Sequence, residues 1–206
     1  MIRAVAFDVM DTLVRDPFRE ALEAATGLSL AELFARREPS VYPAFERGEV
    51  DEATYWAHSG DAGIEVDPEA FHRVRRAGIH WLPGMRQLLD DLDGVVLRAT
   101  ASNYPVWIEQ LADDHLHGRF ERILASHHLG SRKPDRSFYE RLLDRLRLEP
   151  SEVLFVDDRE VNVDGAQAVG IAAHRFVDAA TLRGWLADHG LPVAPASAAA
   201  ERGAYR

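Results

Sequence analysis

The residues best suited to chemistry in this chain are carboxylates, hydroxyls and one ammonium that follow short apolar runs. Asp8, with Asp11 and Thr12 close behind, follows Val5, Ala6 and Phe7; Ser102 and Asn103 follow a run ending at Ala101; Asp157 and Asp158 follow a run starting at Val153, with Asn162 a turn later. Lys133 and Pro134 open a further segment, and of the 24 Lys and Arg residues Lys133 is the one lysine. An ammonium is a compact point charge with three donors, suited to a single phosphate-like oxygen where the planar guanidinium fork fits poorly. Two adjacent acids at a strand end repel unless a cation meets one of them. Singly, each is an ordinary turn or cap residue, and Ser102 and Asn103 would equally cap a helix opened by Pro105.

What would bring them together is a parallel sheet, whose strand ends share one edge where ligands bind. Apolar strands are expected at the start of the 5–14 stretch and at 95–101, 122–126, 153–156 and 172–176. Helices at 83–92, 105–114, 134–146, 161–169 and 179–189 alternate with them, and 134–146 places Phe138, Leu142, Leu143 and Leu146 on one face. The pattern predicts an α/β fold with a doubly wound, parallel five-stranded (Rossmann-like) sheet. Residues 15–82 differ: they read as short helices at 17–25, 29–37, 41–47, 51–58 and 67–77, a small all-helical cap. The division expected is a core of 1–14 and 83–190, a cap of 15–82, and a flexible Ala/Pro-rich tail at 191–206.

Composition narrows the function classes. At 206 residues and 47% hydrophobic content, one core with a small second lobe is the natural reading. A formal net charge of −10 argues against a nucleic-acid or anionic-membrane partner, which requires a positive surface field. The absence of Cys removes disulfides, thiolate metal sites and Cys nucleophiles, and accords with a reducing, cytoplasmic setting. No apolar run approaches the ~20 residues of a membrane span, and no signal-like segment precedes the first strand. A soluble monomer or homodimer is expected. His115, His117, His127 and His128 have no spacing that would put them on one zinc ion, and Tyr42, Phe45, Tyr55 and Trp56 read mainly as core, with a few free to line a cleft.

Four blocks in order, Asp8-Val-Met-Asp-Thr-Leu, Ser102-Asn103, Lys133-Pro134, and Val156-Asp157-Asp158 with Asn162-Val-Asp-Gly-Ala, resemble the haloacid dehalogenase-like (HAD) hydrolase superfamily. The cap stretch beginning Phe45-Glu-Arg-Gly resembles the subgroup with a small helical cap after the first strand. The resemblance implies that Asp8 attacks phosphorus to form an aspartyl-phosphate that water then hydrolyses. It implies Mg2+ as cofactor, held by Asp8, Asp158 and the Met10 backbone carbonyl, with Asp157 beside them. Lys133 would neutralise Asp8 and the transferred group, Ser102 would donate a hydrogen bond to a phosphate oxygen, and Asn103 would join them in binding a small phosphorylated substrate. Thr12 would pack within the turn and Asn162 orient its neighbours. Repulsion between two unit charges at 4 Å costs roughly 1 kcal/mol in water and several-fold more in a drier cleft, which is why such a site needs cations.

Met10 departs from the pattern. Phosphatases of the family place there an Asp that protonates the leaving oxygen and later activates water, work typically worth about 10^2 to 10^4-fold. A thioether cannot transfer a proton. Three readings follow: a phosphatase whose proton comes from elsewhere or whose leaving group needs none; a metal-free 2-haloacid dehalogenase, with Arg15, Arg36 or Arg37 holding the carboxylate; or a binding protein that has lost most turnover. Asp11 is a candidate substitute, although period-two alternation would aim it away from the Asp8 face.

Overall fold

The computed structural model describes residues 1–193. Its sheet consists of β1 (Ala4–Phe7), β2 (Leu97–Thr100), β3 (Val153–Asp157) and β4 (Ala172–Arg175), all parallel, in the order β2-β1-β3-β4. β1 and β3 are buried throughout, as their apolar sequences require for central parallel strands. Alternation divides each between two cores. Val5, Phe7, Leu154 and Val156 face one apolar cluster, while Ala4, Ala6, Val153 and Phe155 face the other. Helices α6 (Met85–Asp91), α7 (Ile108–Leu111) and α11 (Ala179–Asp188) cover the first face; α9 (Arg136–Leu146) and α10 (Glu160–Ala168) cover the second. The doubly wound reading is thereby observed.

The fifth strand is not. Residues 122–125 run beside β2, but only as isolated parallel bridges, Ala99 with Arg122 and Ser102 with Ala125. The Thr100 hydroxyl explains the break: it accepts the Leu124 N–H at 2.8 Å, which a ladder would give to a backbone carbonyl, and donates to the Leu124 carbonyl at 2.9 Å, which keeps only a long 3.4 Å contact from the Ser102 N–H. The chain then turns at once into α8 (Ser126–Leu129). The helix expected at 105–114 is also shorter, starting at Ile108 with no side-chain cap and continuing as a π-turn over Ala112–Leu116. Ser102 and Asn103 therefore do not cap it.

Residues 15–82 hold five helices, α1 (Phe18–Thr26), α2 (Leu30–Arg36), α3 (Val41–Glu46), α4 (Glu52–Asp61) and α5 (Pro68–Gly78). Side-chain caps start three of them: Ser29 with Glu32 forms a capping box on α2, and Asp51 and Asp67 accept the Thr54 and Ala70 N–H groups. Short helices need packing, here an aromatic cluster of Phe18, Phe45, Tyr55, Trp56 and Phe71 around Trp107, which comes from the chain after β2. Buried Arg75 adds a second tie, donating to the Tyr104 hydroxyl at 3.0 Å and to Gln110 Oε1 at 2.6 Å. Of the tail expected at 191–206, Leu191 and Val193 are instead buried against the core; 194–206 lie outside the described residues. Among the described residues, no helix is long and apolar enough to cross a membrane.

Candidate active site

Strand register assembles the site. Phe7 pairs with Thr100 on one side and Val156 on the other, so Asp8, Ser102 and Asp157 emerge at one edge of the sheet. The Asp8 N–H donates to the Val156 carbonyl at 2.8 Å, which continues the ladder into the carboxylate itself. Lys133 reaches this edge from the loop before α9. Its Nζ donates to Asp8 Oδ1 at 2.8 Å and to Asp157 Oδ2 at 2.6 Å, with the Phe138 and Phe155 rings 5.9 and 5.5 Å away. The loop is clamped by Asn103, whose Nδ2 donates to the Lys133 carbonyl at 2.9 Å and whose Oδ1 accepts the Lys133 N–H at 2.8 Å.

Burial governs the charges. It pushes the Asp8 carboxyl up, to about 7, with Lys133 pulling down and Asp157 pushing further up. Burial works to lower the Lys133 ammonium, but the two carboxylates outweigh it and hold the group above its ordinary value. Asp158 is raised by burial and then by Asp157. One ammonium is thus shared among carboxylates that between them demand more positive charge. The ligand oxygens of Asp8, Asp157 and Asp158 lie within 4.8 Å of one another, the one such His/Asp/Glu group of three or more among the described residues. An all-oxygen donor set suits a hard divalent cation such as Mg2+. A second observation agrees with it. Asn162 lines the same cavity, and its Oδ1 is buried without a hydrogen-bond partner, an acceptor that metal-bound water would satisfy.

The two adjacent acids separate cleanly. Asp157 is wholly buried, and its oxygens are engaged: Oδ2 by Lys133, Oδ1 by the Arg159 N–H and by Asn162 Nδ2, both at 2.9 Å. Asp158 is half-buried and lines the cavity, whereas Asp157 does not.

That cavity has a volume of about 210 Å3. Asp8, Met10, Ser102, Asn103, Lys133 and Asp158 all line it, so of the residues expected at the site only Asp157 lies behind the wall. Thr12 is buried away from it with an unpartnered hydroxyl. Asp11 corrects the alternation argument. β1 ends at Phe7 and Asp11 has a left-handed backbone, φ 54°, so period two no longer applies and Asp11 lines the cavity. None of Arg15, Arg36 and Arg37 lines it; the guanidinium residues in its wall are Arg132 and Arg159.

The remaining wall comprises Tyr42, one of the cap aromatics expected to pack or to line a cleft, and residues to which sequence reasoning assigned no role at the site: Asp16, Phe18, Glu46, Tyr104, Arg132 and Arg159. Glu46 Oε2 accepts from Arg132 Nε at 2.7 Å, and the Glu46 carbonyl accepts from the Ser126 hydroxyl at 2.7 Å, which pins the end of α3 to the loop carrying Lys133 and to the start of α8. Gly48 has φ 71°, and a Cβ there would come within 2.9 Å of His127 Nδ1, so glycine permits the close approach. Of the residues without an assigned role, only Glu46 carried an expectable signal, since it falls in the cap stretch noted above. Beyond Phe18 and Tyr42, which also belong to it, lies a second cavity of about 390 Å3, lined in addition by Phe34, Arg37, Glu38, Pro39 and Pro43.

Fold and site together define a doubly wound α/β architecture with a carboxylate, an ammonium and an acidic pair on one edge of its parallel sheet. Residues 2–170 match the haloacid dehalogenase-like hydrolase family, and the chain belongs to it. It is 35% identical to flavin mononucleotide hydrolase 1 of Arabidopsis thaliana over 190 residues, covering 91% of this chain and 77% of the relative. It is 31% identical to the sesquiterpene phosphatase astK of Aspergillus oryzae over 160 residues, covering 74% and 81%. A HAD-family enzyme of Bacteroides thetaiotaomicron, solved with magnesium and inorganic phosphate, shares the fold with a TM-score of 0.75 at 16% identity, over 88% of this chain and 99% of that one.

Proposed function

We propose that this protein is a Mg2+-dependent phosphatase acting through an aspartyl-phosphate on Asp8. The observation that carries the reading is the Lys133 ammonium held between Asp8 and Asp157, with Asp158 facing the same cavity. Asp8, Asp158 and the Met10 carbonyl would hold Mg2+, which supplies positive charge against the approach of an anionic phosphate to an anionic carboxylate. Asp8 attacks phosphorus, the bond to the ester oxygen breaks, and water later releases inorganic phosphate and frees the carboxylate. Lys133 keeps Asp8 oriented and offsets the charge that grows on the transferred group, while Ser102 donates to a phosphate oxygen. Asn103 acts through Lys133 by fixing its loop, and Asp157 acts by anchoring the ammonium. Residues 15–82 serve as a cap over the sheet edge.

The substrate in this reading is a phosphorylated small molecule with a sizeable apolar body. Flavin mononucleotide and a sesquiterpenyl phosphate, the compounds in the relatives' names, are of this kind. The second cavity, with Phe18, Phe34 and Tyr42 in its wall, falls in the roughly 300–1,000 Å3 range of small-molecule pockets and would take the apolar part. The test is Mg2+-dependent hydrolysis of an aryl phosphate by the wild type and by Asp8→Asn. Turnover should fall by at least roughly 10^4-fold in the variant. Undiminished turnover would remove Asp8 as nucleophile, and metal-independent halide release from a 2-haloacid would replace the reading altogether.

A further inference from the structure

We propose that Asp16 carries the proton that Met10 cannot: it protonates the leaving-group oxygen and then takes a proton from the attacking water. The proposal rests on the phosphatase reading above. Five carboxylate residues line the catalytic cavity, Asp8, Asp11, Asp16, Glu46 and Asp158. Asp8 is the nucleophile and Asp158 belongs to the acidic group facing the cation. Burial raises the Glu46 carboxyl as well, but its Oε2 is tied to the Arg132 guanidinium at 2.7 Å, an ion pair that favours the anion and engages the oxygen. Asp11 is exposed to solvent rather than buried in the wall, and its Oδ1 serves to hold Asp16 by accepting the Asp16 N–H at 3.0 Å.

Asp16 is placed differently. It sits at the junction between the loop after β1 and α1, half-buried in the cavity wall. Its own N–H is tied to Asp11, and its Oδ1 accepts the Phe18 N–H at 2.9 Å, so the carboxyl is held in place while only one oxygen is committed. Among the described residues no Lys or Arg hydrogen-bonds to it; the neighbouring Arg15 pairs with Glu20. Burial pushes the carboxyl up to about 6, opposed by the Phe18 N–H and Arg15, and raised further by Asp11 and Glu20. From other elements the phenols of Tyr42 on α3 and Tyr104 after β2 face it, both pushed above their ordinary range mainly by burial. An acid tuned towards neutrality is what proton transfer in both directions requires.

The step balances. In the first half, the phosphorus–oxygen ester bond breaks as the bond to Asp8 forms, and the Asp16 proton goes to the departing oxygen, which leaves as an alcohol. In the second half, water attacks phosphorus, the bond to Asp8 breaks, and the released proton returns to Asp16.

Leaving-group dependence tests this with the Mg2+-loaded full chain. Phenyl or alkyl phosphate needs the proton, and 2,4-dinitrophenyl phosphate does not. Asp16→Asn should lower kcat/KM for the first group by about 10^2-fold or more, and the dinitrophenolate burst by less than about threefold. The limb of the phenyl phosphate profile that falls as pH rises should vanish with it. Met10→Asp added to Asp16→Asn should restore most of the loss, and Asp16→Glu should retain part of the activity. Equal loss across all leaving groups, or none, overturns the proposal, as does leaving-group-dependent loss in Asp11→Asn with none in Asp16→Asn. If the wild type gives no Mg2+-dependent burst at all, the phosphatase reading falls and takes the proposal with it. If Asp16→Asn does not fold, Asp16→Glu carries the comparison through a shifted pH limb.

Discussion

The catalytic cavity has two walls of different origin. One is the sheet edge, where Asp8, Ser102 and Lys133 stand at positions set by strand register and by the Asn103 clamp. The other comes from the loop and helices after β1, where Asp16, Phe18, Tyr42 and Glu46 are positioned by packing and short side-chain bonds. The edge wall carries paired charge buried beneath the surface. The helical wall carries aromatic area and carboxylates without a buried ammonium. In the proposed phosphatase the first binds and activates the phosphate of any ester, while the second decides which ester and supplies its proton. Chemistry and selectivity can then vary separately, because different interactions hold their residues.

Substitutions at the edge should have the largest effects. Lys133→Met leaves Asp8 and Asp157 buried without their cation, and denaturant unfolding should report a loss of about 3–5 kcal/mol together with near-complete loss of turnover. The next effect separates the acid pair. Asp158→Asn should raise the Mg2+ concentration for half-maximal activity by roughly 10–100-fold with little change in stability, whereas Asp157→Asn should act mainly on stability, since it holds Lys133 and Asn162. Equal effects in the two assays would erase the distinction drawn between them.

On the helical wall, stability should move the other way. The Asp16 carboxyl is raised from 3.8 to about 6, so folding favours its protonated form. Its contribution is fully present below pH 3.8 and is lost as pH rises through 6. Asp16→Asn should therefore be more stable than wild type at pH 7.5 by roughly 1–3 kcal/mol, with the gain fading between pH 6 and 4. A catalytic carboxylate that lowers stability is a familiar trade. Glu52, held down to about 2 by His72 and Trp56 against the effect of burial, has the opposite sign: its stabilisation is present above pH 4.5 and lost as pH falls towards 2. The smallest effect is at Phe34, 61% exposed beside the apolar cavity. Phe34→Ala should change stability by less than about 0.5 kcal/mol, yet raise KM for esters with a bulky apolar body several-fold while sparing short alkyl phosphates.

The sequence by itself determined the sheet edge. Asp8, Ser102, Lys133 and Asp158 were legible because each follows a short apolar run or opens a helix, and parallel strands bring such points together whatever the rest of the chain does. Even the departure at Met10 could be read there. Tertiary structure alone decided three matters. Thr100 broke the fifth strand through its side chain, an event no periodicity records. Burial and hydrogen bonding, not residue type, separated Asp157 from Asp158. The helical wall gathers Asp16, Phe18, Tyr42 and Glu46, spread over about thirty residues of sequence, into one cavity through packing contacts that leave no local pattern.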